Sequence, residues 1–402
     1  MRLADYSDST DSPARLDAGD LVIMPGLVDC HVHVNEPGRT EWEGFATATR
    51  AAAAGGITTI CDMPLNSIPP TTTAAALERK RDAARGQSLV NVEFIGGVVP
   101  GNTGELAGLK AAGACAFKCF LSPSGVPEFP PVTEEDLRAA FPLLARLGLP
   151  LLVHAEDPAA LSPARAGRRY QDYQVSRPVA AERQAIALLI RLQEAASIAP
   201  AVHIVHLSSA VSLDLVRDAR ARGLPISVET CPHYLTFAAE EIPDGATEFK
   251  CAPPIRSGVE REALWKALLD GTINLVASDH SPCPPDLKNT GGDFSSAWGG
   301  IASLELSVSA TWTGAEARGA GVQHLAQWMS TAPARLVGLG NRKGLLAPGY
   351  DADLLIWDPE ARWVVDPDHL HHRHKLTPYA GRELRGAVRA VYVGGRLVSG
   401  GL

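Results

Sequence analysis

Two histidines separated by one residue, His31 and His33, open the part of the chain that could do chemistry. In a β-strand this spacing places both imidazoles on the same face, where they could bind one metal ion. Four more candidate side chains fall at or near the ends of later strand-like runs: Lys118, His154, His206 and Asp279. Taken singly, such residues are more simply structural or surface groups, but their joint placement predicts a metal site.

A lysine has a specific use in such a set. An ammonium group cannot bind a cation, whereas a neutral lysine in a desolvated site can react with CO2 and become a carbamate. Burial lowers the pKa of a lysine and makes the neutral form available. A carbamate could bridge two ions, which would together lower the pKa of a shared water. The residues therefore indicate a binuclear hydrolytic centre with Lys118 as its bridge.

The elements that must position these residues alternate from about residue 27. Eight short apolar runs, from Leu27–Val34 to the final TINLVASDH, are nearly all separated by helix-like segments. Thr133 and Asp136 predict a capping box at the start of one such helix. Repeated βα units require parallel strands, and eight of them close most simply into a (β/α)8 TIM barrel. An open, doubly wound α/β sheet is the alternative, but no GxGxxG follows the first strand.

Two flanking segments do not fit the barrel, which we assign to residues 26–344. Residues 1–25 contain one strand-like stretch, DLVIMPG, and residues 345–402 read as β-hairpins with glycine turns. We expect both chain ends to form a small β-domain.

Composition excludes several classes of protein. The 402 residues carry 37 Lys+Arg and 45 Asp+Glu, a net charge of −8, and no basic stripe that would bind nucleic acid. No run approaches the ~20 apolar residues of a membrane helix, and the polar N-terminus does not read as a signal peptide. The seven cysteines are scattered without a CxxC pair, which favours the reducing cytoplasm.

Several motifs carry a family resemblance that runs from about residue 18 to the end. LVIMPGLVDCHVHV, FKCF, LLVHAED, HLSS and ASDHSP resemble the amidohydrolase superfamily in its cyclic-amidase branch. Longer stretches, including AAAAGGITTICDMPLNS, SDHSPCPPDLK, AWGGIASLE and RHKLTPYAGRELRG, are similar to allantoinases. Members usually begin with additional strands before the MPG segment, so we expect either a misplaced start codon or a reduced small domain with unpaired strand edges.

The resemblance implies roles for the residues above. The metal ligands would be His31, His33, Lys118 as N6-carboxylysine, His154, His206 and Asp279, with Asp279 also the catalytic base. They would hold two divalent ions per subunit, zinc being expected first, although such ligands also suit Mn, Co, Fe or Ni. CO2 would carboxylate the lysine, and relatives lead us to expect a homotetramer.

Other histidines and cysteines are expected to be structural. His203 has the opposite strand parity to His206 and should pack against a helix, while His233 and His280 should support the site or the fold. A histidine-rich tract after the barrel is not expected to bind metal: His369, His371, His372 and His374. Cys115 and Cys119 should pack on either side of Lys118.

The implied reaction is hydrolysis of the cyclic amide of allantoin to allantoate, in purine catabolism. Dihydroorotases place an arginine where this chain has Asn35, and hydantoinases place an asparagine where it has Trp298. The candidate substrate contacts are Asn66, Ala252, Ser281, Trp298 and Gly299. A hydantoinase or dihydropyrimidinase, and a catalytically silent scaffold of the same fold, remain the alternatives.

Overall fold

The computed structural model describes residues 17–401, so residues 1–16 of the predicted N-terminal segment lie outside it. The described residues form twelve strands: β1 (Val22–Pro25), β2 (Leu27–Val32), β3 (Ile57–Asp62), β4 (Asn91–Gly97), β5 (Ala114–Phe120), β6 (Leu151–His154), β7 (Val202–Ile204), β8 (Ile226–Thr230), β9 (Leu275–Val276), β10 (Leu354–Val364), β11 (Glu383–Val393) and β12 (Arg396–Gly400).

Thirteen α-helices lie within the same described residues: α1 (Phe45–Ala54), α2 (Ala74–Ala84), α3 (Leu106–Ala111), α4 (Glu134–Leu147), α5 (Tyr170–Ser176), α6 (Val179–Ala195), α7 (Leu213–Ala221), α8 (Pro232–Thr236), α9 (Gly258–Leu269), α10 (Pro285–Lys288), α11 (Ser307–Glu316), α12 (Val322–Ala326) and α13 (Ala332–Leu336). The predicted capping box is confirmed at α4, where Thr133 and Asp136 bond reciprocally. Gly148 ends that helix in the left-handed conformation.

Strands β2 to β9 form one parallel sheet in chain order, which confirms the predicted (β/α)8 barrel. The sheet closes where the segment after β9 meets the end of β2: Val32 bridges His280, and the N–H of His33 donates to the His280 carbonyl at 2.9 Å. The last strand is much shorter than the predicted TINLVASDH: it covers only two residues, and Asp279, three residues after its end, has a left-handed φ of 45°.

Side chains divide by strand parity into an inner and an outer layer. In β5, Ala116 and Phe120 join the cluster inside the barrel, together with Leu152 of β6, whereas Phe117 and Cys119 join the apolar layer under the helices. Lys118 has the parity of the inner set and so points into the barrel. Cys119 is therefore a packing residue, as predicted.

The second sheet is antiparallel, with strand order β1-β10-β11-β12, and so combines both ends of the described chain. Gly394 and Gly395, both with positive φ, form the two-residue turn between β11 and β12. Lys343 lies buried where this sheet meets the barrel, and its Nζ contacts the carboxylates of Asp351 and Asp353. The exact limits of the small domain remain a prediction.

Candidate metal centre

His31 lies in β2 and His33 directly follows it, and both imidazoles reach the same carboxylate. Their Nε2 atoms lie 3.2 and 3.4 Å from Oδ1 of Asp279. Burial acts to raise the pKa of Asp279, but the nearby histidines, His31 foremost, hold that pKa well below its usual range. The side chains of these three residues lie close enough to share one cation.

Glu229, a fully buried residue of β8, sets the orientation of His31. Its Oε1 lies 2.5 Å from His31 Nδ1, so the ring donates from Nδ1 and directs Nε2 toward Asp279. Its Oε2 lies 2.9 Å from Nε2 of His203. Burial opposes ionisation of Glu229, yet the two histidines hold its pKa well below the ordinary value. A carboxylate that fixes a ring in this way is typical of metal-bound histidines.

The prediction that His203 packs against a helix is wrong. The ring points into the barrel, because it shares Glu229 with His31, and its Nδ1 lies 2.7 Å from Ser227 Oγ. The prediction counted parity back from His206, but β7 ends at Ile204 and His206 has a φ of 41°. Counting by twos holds only while the backbone stays extended.

His154 and His206 form a second pair at the same end of the barrel. Nδ1 of His154 and Nε2 of His206 are 2.9 Å apart. Nε2 of His154 lies 2.6 Å from Glu156, which Arg177 also contacts. The carboxylate of Glu156 accepts a hydrogen bond from the Nε2–H of His154. Nδ1 of His154 therefore carries the lone pair that could bind an ion. Burial acts to raise the pKa of Glu156, but His154 and Arg177 hold it at about 2.

Lys118 is fully buried between these pairs, and its Nζ forms no hydrogen bond with any residue from 17 to 401. Burial lowers its pKa to about 8, although Asp279 and Glu229 act in the opposite direction. A buried ammonium without hydrogen-bonding partners is costly, so this position makes the neutral amine, the form that reacts with CO2, more available than it is for a lysine in water. The donor set therefore fits the predicted pair of ions with a lysine carbamate between them.

Strained backbone occurs at two of the candidate ligands. His206 and Asp279 are non-glycine residues with φ of 41° and 45°. Such conformations cost about 1–3 kcal/mol each and persist where the surrounding structure enforces them. Here they turn the two side chains out of the strand pattern and toward the other candidate ligands.

A cleft above these residues contains all five predicted substrate contacts, Asn66, Ala252, Ser281, Trp298 and Gly299. The amide Nδ2 of Asn66 lies 3.4 Å from Nδ1 of His33, whereas its Oδ1 has no hydrogen bond within the described residues. The indole Nε1 of Trp298 is likewise unbonded there, and its ring packs edge-on against Trp42 with the centroids 4.8 Å apart. The residues of the cleft wall thus include an acceptor, at Asn66, and a donor, at Trp298, that no described residue uses.

Residues 22–398 match the model of a family described as the amidohydrolase family. The chain belongs to the amidohydrolase family.

Sequence relatives of this amidohydrolase are named allantoinases. It is 52% identical to "Allantoinase" of Streptomyces avermitilis, over 96% of this chain and 86% of the relative. It is 46% identical to "Allantoinase" of Saccharomyces cerevisiae, over 94% of this chain and 82% of that one.

Solved structures of similar fold are hydantoinases. The L-hydantoinase (dihydropyrimidinase) from Arthrobacter aurescens superposes with a TM-score of 0.91 at 32% identity, covering 98% of this chain and 89% of that one. A dihydropyrimidinase from Brevibacillus agri gives 0.87 at 28% identity, covering 98% and 88%. This amidohydrolase is therefore a hydrolase with the barrel architecture of these enzymes. No helix among residues 17–401 is long and apolar enough to cross a membrane.

The histidine-rich tract contributes no described residue to the groups that could share an ion, although the ring of His372 lies 5.8 Å from that of His280, the neighbour of Asp279. His371 contacts Glu305, and His374 contacts the Glu41 carbonyl. His372 is fully buried, with neither ring nitrogen hydrogen-bonded to a described residue. Two groups of described side chains are close enough to share an ion, and both contain Asp279. One adds His31 and His33, and the other adds Cys231 and His233.

Sequence reasoning missed Glu156 and Glu229, which orient the candidate ligands. A signal existed for each, since a glutamate inside a short apolar strand or two residues after a strand-end histidine is unusual unless it is paired. Their partners could not be read from the sequence, because Glu229 and His31 are 198 residues apart.

Proposed function

We propose that this amidohydrolase is an allantoinase, which opens the five-membered ring of allantoin by hydrolysing its cyclic amide and yields allantoate in purine catabolism. The observation that carries the proposal is the 52% identity to a relative named allantoinase over nearly the whole chain. The donor set described above supports a metal-dependent hydrolysis.

Two divalent ions would be held by His31, His33, Lys118, His154, His206 and Asp279. The neutral Nζ of Lys118 would attack CO2, forming the N–C bond of N6-carboxylysine and releasing one proton. That change replaces an amine without acceptor partners by a carboxylate that can bridge the ions. Zinc is our first expectation, with Mn, Co, Fe or Ni as chemically acceptable occupants.

Bound ions would polarise the ring carbonyl and lower the pKa of the attacking water. Asp279 would accept the proton of that water while the water oxygen adds to the ring carbonyl and the new C–O bond forms. It would then transfer the proton to the ring nitrogen, which departs as the C–N bond breaks. Its lowered pKa keeps this carboxylate ionised at neutral pH. Glu229 and Glu156 would hold His31 and His154 in the required tautomers.

The charges around the cleft support a neutral substrate. Arg177 is engaged by Glu156, and Arg39 is engaged by Glu128 and the Asn66 carbonyl. Asn35, at the position where dihydroorotases carry an arginine, offers no positive charge. The other cation of the cleft, Lys250, is engaged by the carbonyls of Ser295 and Ala297. A substrate carboxylate would therefore meet no unengaged cation among these residues, whereas a neutral ring needs none.

The second candidate is a hydantoinase or dihydropyrimidinase. Its support is the TM-score of 0.91 to the L-hydantoinase, although the sequence identity is only 32%. A silent scaffold has less support, since all six candidate ligand positions are filled. We further propose a homotetramer in the cytoplasm, while noting that one relative is named "Allantoinase, mitochondrial" from Aquarana catesbeiana.

The test supplies purified protein, metal and bicarbonate with equimolar allantoin, hydantoin, dihydrouracil and dihydroorotate, and follows the products by NMR. We expect selective loss of allantoin with growth of allantoate. Consumption of another ring instead would replace the substrate but keep the reaction. No consumption by folded, metal-loaded protein would favour the scaffold.

A further inference from the structure

The loop between β9 and α11 forms one wall of the cleft and contains Trp298 and Gly299. Two lysines hold it. Lys288, at the end of α10, is buried, and Lys250, which itself lines the cleft, lies opposite. Sequence reasoning gave neither lysine a role.

Lys288 binds only backbone carbonyls. Its Nζ lies 2.7 Å from the oxygen of Lys250, 2.8 Å from that of Trp298 and 2.5 Å from that of Gly300. These three bonds use all three ammonium hydrogens, and within residues 17–401 no carboxylate oxygen comes within ion-pair distance of this nitrogen. Most buried lysines are paired with an acid, so this arrangement is unusual.

The bond to Trp298 fixes the direction of the next amide. A trans peptide is planar, so its C=O and N–H point to opposite sides. The Trp298 carbonyl faces Lys288, and the N–H of Gly299 therefore points away from the lysine. That N–H has no hydrogen bond to any described residue, although Gly299 lines the cleft.

The segment around Lys250, on the opposite side, is bonded to the same loop. The Gly300 N–H donates to the Lys250 carbonyl at 2.9 Å. Lys250 Nζ in turn lies 2.5 Å from the Ala297 carbonyl and 3.3 Å from that of Ser295. The two lysines thus hold five carbonyls and keep the wall in one conformation.

We propose that Lys288 is a positioning residue for substrate binding: its ammonium orients the Trp298–Gly299 peptide so that the Gly299 N–H is presented to the cyclic amide. The proposal rests on the proposed hydrolase function for its substrate. Lys288 lies outside the candidate metal ligands, so its loss should weaken substrate binding and leave the metal centre and its chemistry in place.

The experiment compares Lys288→Met with wild type and with Lys266→Met, which removes an exposed lysine from α9. We measure kcat and KM for the ring that wild type hydrolyses, metal content, and hydrogen exchange of a peptide covering residues 289–301. We expect KM to rise at least 10-fold, kcat to change less than 3-fold, metal content to stay constant, and exchange to increase in that peptide. Lys266→Met should match wild type in all four.

Lys288→Gln retains two N–H donors and serves if Lys288→Met fails to fold; its KM should be raised by a smaller factor, again without a matching fall in kcat. An unchanged KM, or a joint loss of kcat and metal, would overturn the positioning role. If wild type hydrolyses none of the four rings, the proposed function fails separately. The exchange comparison then decides whether Lys288 holds the wall, and unchanged exchange would overturn it.

Discussion

Two buried lysines occupy regions of opposite character. At the junction between barrel and small sheet, Lys343 is matched by the carboxylates of Asp351 and Asp353. At the mouth of the barrel, Lys118 is equally buried and has no hydrogen-bonding partner among residues 17–401. At the junction the ammonium of Lys343 is satisfied from the chain alone, as is usual for a buried polar group. At the mouth of the barrel, Lys118 remains available to a ligand. This difference distinguishes the structural lysine from the functional one.

The largest effect should come from Asp279→Asn, which tests whether the carboxylate at the mouth of the barrel acts as the catalytic base. The amide keeps the shape but cannot accept the proton, so we expect kcat to fall by about 10²–10⁴-fold. Much of the metal should stay bound, which elemental analysis would check beside the rate. An active variant would contradict the role of Asp279 as base.

The comparison itself is tested by removing each lysine from protein freed of metal by a chelator. Lys343→Met leaves the buried carboxylate of Asp353 without its cation, whereas Asp351 is 34% exposed and keeps Arg342, so the unfolding free energy should fall by about 3 kcal/mol. Lys118→Met removes an unpartnered buried amine, so that free energy should stay the same or rise while metal binding and activity are lost. Urea unfolding measures both. Equal destabilisation by the two substitutions would contradict the assignment of Lys343 to structure and Lys118 to function.

Glu229→Gln tests whether the carboxylate that orients His31 contributes to metal binding or only to the fold. The neutral amide weakens the hold on His31, and metal affinity should fall by about 10–100-fold. Glu135→Gln, on the exposed face of α4, is the matched control. Metal titration of both variants gives the answer, and equal affinities would assign Glu229 to structure alone.

His372 is one of the described groups that do not fit this distinction, because neither ring nitrogen is hydrogen-bonded although the residue is buried and is not a candidate ligand. Burial lowers the pKa of His372 to about 3 from the ordinary value of 6.5. Between pH 6.5 and 3 this imidazole is therefore protonated in the unfolded chain but neutral in the folded one. Stability should therefore decline as pH falls through this window, by up to about 1.4 kcal/mol per pH unit from this group.

The measurement is the slope of unfolding free energy between pH 6 and pH 4. His372→Leu should flatten it, whereas His369→Leu, at a side chain 85% exposed, should leave it as in wild type. An unaltered slope in His372→Leu would mean that this histidine finds a partner after all.

The barrel was accessible to sequence reasoning because it follows from local patterns, whereas the six candidate ligands came from strand ends together with the family resemblance and stay a prediction. Alternating strand and helix signals predict the topology, and strand ends predict where side chains converge. The side on which His203 points was not accessible, because the backbone at His206 leaves the extended conformation. Nor were Glu229 and Lys288 accessible, because their partners come from distant segments that only the closed barrel brings together.

The closure of the barrel through His33 and His280 has a consequence for biosynthesis. Asp279 lies 246 residues after His33 along the chain, yet their side chains meet only when the first and last strands join. A nascent polypeptide therefore carries histidines without a binding site until more than two thirds of it has been synthesised. Metal loading must follow translation of the barrel, and a chain truncated before Asp279 should take up no ion at this centre.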